Sequence, residues 1–218
     1  EDFFPVIRHL EAPAPGTEST RSYLELLKSQ IPEKKFAHGA HVANKKSNPP
    51  TPFVLRNFRG NAFRGIPNDN TMAISNDGKI VSCINSTFQV YDVDGELLES
   101  MSLATFGKDL KLIGNKFDPR VQYDPEADRF VMTYLNGNDV AQSNLTIAFS
   151  QTNDPAGDWN LYYLPGNPLE DESWSDYPMI SITENEVFYT INLLNPGGSW
   201  QTSFKQTVIW QIDKNKGY

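Results

Sequence analysis

Three stretches of the chain share one pattern: DNTMAISNDGKIV (residues 69–81), DPRVQYDPEADRFV (residues 118–131) and DYPMISITENEVF (residues 176–188). Each begins with an aspartate, carries an apolar residue three positions later, passes a turn and enters a second β-rich run. Short runs in which apolar and polar residues alternate, bounded by Asp, Gly and Pro, indicate strands joined by tight turns. A pattern that recurs along the chain predicts that one supersecondary unit is repeated.

Each unit continues with further strand-length runs. The first contains KIVSCIN, STFQVYD and ELLESMSL, and the second contains RFVMTYL, LTIAFSQ and WNLYYLP. The Asp77-Gly78 and Asp94-Gly95 pairs supply residues that accept the positive φ of tight hairpin turns. We therefore predict four antiparallel strands in residues 69–104 and in residues 118–165, and three strands in the shorter last unit, residues 176–218.

The spacing of the units indicates the fold class. The aspartates that open them, Asp69, Asp118 and Asp176, are 49 and 58 residues apart, and four-stranded repeats of about 40 to 50 residues are typical of β-propeller blades. The expected fold is therefore all-β and built from propeller blades. Because a closed propeller needs about four to eight blades, we expect the N-terminal part of a larger propeller.

Residues 1–52 differ from the repeats. Tyr23, Leu24, Leu27 and Ile31 fall at helical spacing and predict a short amphipathic helix. The polar, Pro-rich stretch HVANKKSNPPTP that follows is typical of an extended strap or linker. We expect a domain boundary near residue 52, with the repeated β units in residues 53–218.

Charge and hydropathy narrow the classes of partner. The formal net charge of −8 opposes binding to nucleic acid, which requires clustered Lys and Arg. No apolar stretch reaches the ~18 to 20 residues needed to cross a bilayer as a helix, so no membrane-spanning helix is expected. Cys83 is the single cysteine and lies in an apolar run, where a buried small side chain is expected.

Two resemblances point to a class of protein. TNDPAGDW (residues 152–159) resembles the Asp-box turn of sialidase-like propellers: Thr152, Asp154 and Trp159 match in type and spacing, whereas Gly157 comes one place late. That turn implies a fold and not a catalytic role. Residues 52–81, 117–134 and 150–162 also look like the propeller regions of large surface proteins secreted by Bacteroidota. This resemblance implies export by the type IX secretion system and a location at the outer membrane surface or outside the cell.

The repeated aspartates are the first candidate site. If Asp69, Asp118 and Asp176 lie at the starts of the innermost strands, they converge around the propeller axis, where carboxylates can bind Ca²⁺, hold sugar hydroxyls or act as acid and base. Alternatively, each aspartate bonds backbone N–H groups and joins one blade to the next. Arg120 can present a guanidinium to a carboxylate ligand, or it can be an ordinary solvated side chain.

Other residues carry weaker predictions. Asp92 and Asp94 in DVDGE have the oxygen density of a Ca²⁺ loop, but the segment lacks the twelve-residue register and terminal Glu of an EF-hand, which favours a hairpin turn. Trp174 and Trp200 are predicted in loops, where exposed aromatics suit contact with a sugar or protein, or cover a sheet edge.

Three functions are compatible with these features. The first is a non-enzymatic binding or adhesion protein of the cell surface, whose partner is an envelope protein or a surface glycan. The second is a glycan-processing hydrolase that uses the acids of the central funnel. The third is a passenger of the type IX secretion system captured with its secretion channel. No nucleophile elbow, Walker loop or zinc-protease motif occurs in the sequence, which favours the first.

Overall fold

The structure is a computed structural model that describes Leu26, Gln30 and residues 54–62, 67–198 and 202–218. Contacts divide the chain into two compact units, Glu1–Asn57 and Phe58–Tyr218. In the first unit, Leu26 and Gln30 are helical, within the segment where a helix is expected. The other residues of the predicted helix and the whole strap, residues 41–52, lie outside the described residues.

The second unit is all-β and contains three antiparallel sheets. Sheet A consists of β1 (Thr71–Ile74), β2 (Ile80–Ile84), β3 (Thr87–Tyr91) and β4 (Leu97–Ser102). Sheet B consists of β5 (Lys116–Asp124), β6 (Arg129–Asn136), β7 (Asn144–Ser150) and β8 (Trp159–Pro165). Sheet C consists of β9 (Trp174–Ile182), β10 (Glu186–Leu194) and β11 (Phe204–Asp213).

Short helices join and follow the sheets. Helix α1 (Leu103–Phe106) and a 3-10 helix (Lys108–Leu110) connect β4 to β5, and a second 3-10 helix (Lys214–Lys216) follows β11. In each sheet, neighbouring strands are consecutive in sequence. The predicted all-β class is therefore confirmed, as are the two four-stranded units and the three-stranded last unit. No helix among the described residues is long and apolar enough to span a membrane.

The hairpin turns form where Asp-Gly pairs predict them. Gly78 and Gly95 have φ of 88° and 86°, values that residues with a Cβ rarely adopt. The Asp92 carboxylate accepts hydrogen bonds from the backbone N–H groups of Asp94 and Glu96, both at 2.9 Å. The turn interpretation of DVDGE thus explains the Asp92 carboxylate without a bound ion.

Sheet B lies between the other two sheets and is buried on both faces. Successive residues of β6 point to opposite faces, so Phe130 and Met132 enter one apolar cluster while Val131 and Leu135 enter the other. The first cluster also contains side chains of sheet A and α1, and the second also contains side chains of sheet C. This position explains why β6 and β7 have nearly continuous apolar sequences.

The turn that resembles an Asp-box joins β7 to β8, as predicted. Asp154 accepts a hydrogen bond from the N–H of Ala156 at 3.1 Å, and the Trp159 indole donates to the carbonyl of Pro155 at 3.0 Å. The indole packs against Phe88 and Phe106, with ring centroids 6.0 and 5.3 Å away. The turn therefore stabilises the contact between sheets A and B.

A buried ion pair joins sheet B to the segment after β11. The Lys214 ammonium donates to the Asp124 carboxylate at 2.7 Å, and both side chains are only 3% exposed. The Tyr218 hydroxyl donates to the same carboxylate oxygen. Burial pushes the pKa of Asp124 upward, but the hydrogen bonds from Lys214 and Tyr218 outweigh that effect and leave the pKa below its ordinary value.

Lys214→Met should lower the free energy of unfolding by about 3 kcal/mol, because it leaves a buried carboxylate without its counter-charge. Urea unfolding at pH 7 measures the change. Since the pKa of Asp124 is depressed in the folded state, the loss should be present above pH ~4 and shrink as the pH falls below it. Lys216→Met is the matched control, because the Lys216 ammonium is exposed; equal losses in the two variants would contradict a role for the buried pair.

Candidate functional site

The candidate site lies on β1, β5 and β9, the first strand of each sheet along the chain. These three strands are neighbours and are called the inner strands below. The N–H of Val121 in β5 donates to the Thr71 hydroxyl of β1 at 3.3 Å. On the other side of β5, the Gln122 side-chain amide donates to the carbonyl of Ile180 in β9 at 2.9 Å. These contacts bring the beginnings of the repeated units together, as the sequence predicts.

Breaks in the strand pairing of β5 and β9 determine where the site residues lie. In β5, Phe117 pairs with Leu135 and Arg120 pairs with Thr133, so Asp118 and Pro119 together oppose a single residue of β6. Two residues opposite one form a β-bulge, which re-aims the side chains around it. A bulge also tolerates proline, which has no N–H for the ladder.

The same irregularity occurs in β9, one residue away from the position that the aligned aspartates predict. Asp176 pairs with Asn192 and Met179 pairs with Thr190, so the unpaired residues are Tyr177 and Pro178. Asp69, Asp118 and Tyr177 have positive φ of 37°, 50° and 50°. The structural counterpart of Asp118 is therefore Tyr177, and Asp176 corresponds to Phe117.

Two sequence predictions about the aspartates are thus wrong in detail. Asp118 and Asp176 are each the third residue of their strand and not at its start, and only Asp69 precedes its strand. The alignment matched identical side chains, whereas the backbone repeats the bulge. The shared prolines, Pro119 and Pro178, are the sequence signal that gives the correct alignment.

The three carboxyl groups are close enough to influence one another. Burial raises the pKa of Asp118 to about 6, and the negative charges of Asp176 and Asp69 add to the rise. The nearby Arg120 and a hydrogen bond from Asn85 oppose it. Burial also raises the pKa of Asp176, with a further contribution from Asp69. Asp118 is consequently a buried carboxyl group with a pKa of about 6, well above that of an ordinary aspartate.

The connection between sheets A and B at this point is made by Asn85. Its side-chain oxygen accepts a hydrogen bond from the N–H of Asp118 at 2.6 Å, and its amide donates to the carbonyl of Pro67 at 3.0 Å. Sequence reasoning assigned the joining role to the aspartate carboxylates and missed Asn85. The position of Asn85 at the end of the run KIVSCIN does not indicate this role. The sequence does not show which neighbouring sheet the side chain faces, because that depends on tertiary structure.

Arg120 and Tyr177 complete the site. The Arg120 guanidinium carbon lies 5.3 Å from the centre of the Tyr177 ring, a cation–π contact between sheets B and C. The same guanidinium donates to the carbonyl of Pro119 at 2.9 Å. Tyr177 remains 52% exposed. We define Asp118, Asp176, Arg120 and Tyr177 as the inner-strand site.

The structure does not gather the other predicted residues here. Trp174 is the first residue of β9, half-buried and paired with Leu194, so the prediction of a loop position is wrong. Pairing with β10 continues on the N-terminal side of the bulge through Ser175 and Trp174, so the strand includes Trp174. Trp200 lies outside the described residues. Asp92 and Asp94 belong to the hairpin between β3 and β4.

The chemistry available to the inner-strand site follows from these groups. A buried carboxyl with a raised pKa can donate or accept a proton, a guanidinium can hold a carboxylate, and an exposed phenol ring can stack on a sugar. In the part of the chain that the structure describes, no group of three or more His, Cys, Asp or Glu side chains is placed to hold a metal ion. Ca²⁺ binding here remains a prediction without a ligand set.

Asp118→Asn should raise stability at neutral pH, because it removes a carboxylate that the folded state holds unfavourably. The rise in pKa from 3.8 to about 6 corresponds to roughly 3 kcal/mol at most. In the unchanged protein, the charged Asp118 carboxylate lowers the free energy of unfolding by this full amount above pH ~6, and the effect disappears as the pH falls toward ~4. Asparagine also tolerates the positive φ at this position.

Urea unfolding from pH 4 to pH 8 is the measurement. The gain in Asp118→Asn over the unchanged protein should shrink steadily as the pH is lowered, whereas the exposed control Asp158→Asn should show no such trend. A loss of stability at pH 7 in Asp118→Asn would mean that the charged carboxylate stabilises the fold.

No protein-family model, curated protein or solved structure matches this chain. The interpretation of the site therefore depends on its own residues, the bulge geometry that places them and the charges that surround them.

Proposed function

We propose that the three sheets are blades of an incomplete β-propeller and that the chain is a binding scaffold of a secreted or cell-surface protein. Three observations support the propeller: the strand order repeats in all three sheets, the inner strands are neighbours, and Trp159 of the Asp-box-like turn packs between sheets A and B. Export by the type IX secretion system is part of the proposal and depends on the sequence resemblance alone.

The observation that carries a binding role is the exposed surface of the inner strands. Met72 and Ile74 on β1 are 62% and 47% exposed, and Tyr177 and Met179 on β9 are 52% and 42% exposed. In a propeller the innermost strands surround the central channel, where ligands commonly bind. Apolar and aromatic side chains there, next to a guanidinium and two carboxyl groups, form a surface suited to a ligand with both apolar and polar faces.

A surface glycan fits this surface in chemical terms. The Tyr177 ring offers a flat apolar face for a sugar ring, Arg120 can bind an acidic sugar, and the carboxyl groups of Asp118 and Asp176 can accept hydrogen bonds from hydroxyls. An envelope protein that presents an acidic side chain beside an apolar one would satisfy the same groups. The proposed activity in either case is recognition.

Replacing Tyr177 should weaken binding without unfolding the protein. We propose to titrate lactose and sialyllactose as probes by NMR, with Tyr177→Asn compared with the unchanged chain. Asparagine accepts the positive φ of this position, so the variant should fold. We expect an affinity at least about fivefold weaker, because an aromatic stacking partner contributes about 1 kcal/mol or more.

Tyr163→Asn is the matched control, since Tyr163 is similarly exposed (55%) but lies on the outer strand β8. Binding that is weakened equally by both changes, or by neither, would count against the inner-strand site. Absence of binding of either sugar would leave the envelope protein as the partner to be tested, by cross-linking the native protein on cells through the same surface.

Glycan hydrolysis is a second candidate, favoured by one observation. Asp118 has a pKa raised to about 6 and is accompanied by the second carboxyl group of Asp176. A protonated acid beside a carboxylate is the pair that glycosidases use. If the chain hydrolyses glycosides, the rate should fall as the pH rises above ~6, and Asp118→Asn should reduce it at least a hundredfold. An unchanged rate in Asp118→Asn with nitrophenyl glycosides as substrates would eliminate this candidate.

A further inference from the structure

Strand β11 presents an unpaired edge. It is the longest strand among the described residues, with ten residues, and it borders sheet C on the side opposite β9. Its edge N–H and C=O groups have no strand partner among the described residues. Such an edge readily pairs with another strand. Ile209 at its centre is 68% exposed, although it lies in a strand.

The sequence of β11 is complementary to itself. In an antiparallel pairing centred on Ile209, each Ile209 faces the Ile209 of a second copy. The same register sets Lys205 opposite Asp213 of the second copy, and two-fold symmetry repeats that charge pair at the other end. Directly opposed residues of antiparallel strands lie on the same face, so the opposite charges meet.

The exposure of the β11 side chains alternates between the two faces of the strand. Lys205, Thr207, Ile209, Gln211 and Asp213 share one face of the strand, and all five are exposed. Val208, Trp210 and Ile212 on the other face are partly buried against the second apolar cluster. Pairing with a second β11 would cover the exposed isoleucine on one face. On the other face it would extend the cluster, because Val208 meets Trp210 of the second copy.

The other outer strands lack this complementarity. Strand β4 has the sequence LLESMS, with one charged residue, and β8 has the sequence WNLYYLP, with none. Neither strand can pair with a copy of itself through opposite charges. The β11 charges already have partners within one chain: Lys205 contacts the partly buried Asp171, and Asp213 contacts Lys216 at an exposed position, where ion pairs are weak.

We propose that this chain forms a two-fold symmetric dimer through antiparallel pairing of β11 with β11 of a second copy, centred on Ile209. The two copies of sheet C then form one continuous six-stranded sheet. The interface combines main-chain hydrogen bonds along the strand, two Lys205–Asp213 pairs and a central isoleucine contact. The dimer does not involve the inner-strand site, which lies on β5 and β9, but it uses the edge of β11 that a fourth strand of a propeller blade would otherwise occupy.

The first test is the molar mass of the chain in solution by light scattering over the micromolar range. We expect twice the 24.6 kDa of one chain. Lys205→Glu should weaken the dimer about tenfold, because two attractive cross-strand pairs become repulsive. Asp213→Lys should do the same, and the double variant Lys205→Glu/Asp213→Lys should restore the affinity. Local effects of either change on Asp171 or Lys216 cannot produce that restoration.

A second test locates the contact by oxidation. In the proposed register, the two Ile209 side chains begin about 5 Å apart, so Ile209→Cys should form a disulfide-linked dimer under mild oxidation. The native Cys83 is fully buried and does not compete. Ile113→Cys is the matched control, because Ile113 is also exposed (72%) but lies outside β11.

Two outcomes would overturn the proposal. The first is a monomer throughout the concentration range, which would mean that the β11 edge is covered by another segment or left unpaired. The second is a dimer that persists unchanged in Lys205→Glu and cross-links equally through both introduced cysteines, which would place the interface elsewhere.

Discussion

The arrangement of the three sheets depends on one constraint: sheet B cannot bury either of its faces by itself. Its middle strands carry apolar side chains on both sides, so they need a neighbouring sheet on each side. Sheet A and α1 pack on one face, where Trp159 contacts Phe88 and Phe106. Sheet C packs on the other face, where the ion pair of Asp124 with Lys214 joins sheet B to the segment after β11. Nearly every residue of β6 is accordingly buried.

Packing of the sheets in turn creates the inner-strand site. Once β1, β5 and β9 are neighbours, the bulges in β5 and β9 bring Arg120 and Tyr177 into contact at the surface, with the Asp118 carboxyl buried near Arg120. The same packing buries Asp118 beside other carboxyl groups, which raises its pKa. The unfavourable charge is thus a consequence of the fold. Such destabilised groups are common at functional sites, where the surrounding structure holds them in place.

The edge strands of the sheets are the places where further strands can pair. Among the described residues, the edge strands of the three sheets have no strand partner on one side. Proteins protect such edges by charge, by coverage or by pairing. Lys205 and Asp213 at the two ends of β11 provide both charge and a means of selective pairing. The inner strands leave a different surface, made of methionine, isoleucine and tyrosine side chains. Side chains of this kind contact a partner through their own atoms, whereas an edge strand pairs through its backbone.

The amino-acid sequence by itself determined the class of the fold, the number of strands in each unit and the hairpin turns. These are local properties: alternation sets which face of a strand is apolar, and Asp-Gly pairs set the turns. The sequence also indicated that Asp69, Asp118 and Asp176 share a region. Only the tertiary structure decided that Tyr177 is the counterpart of Asp118, that Asn85 joins two sheets and that Lys214 pairs with Asp124. Those features depend on contacts between residues far apart in the chain and on a one-residue shift in register. Pro119 and Pro178 mark that shift in the sequence, but only the paired strands show that each proline lies in a bulge.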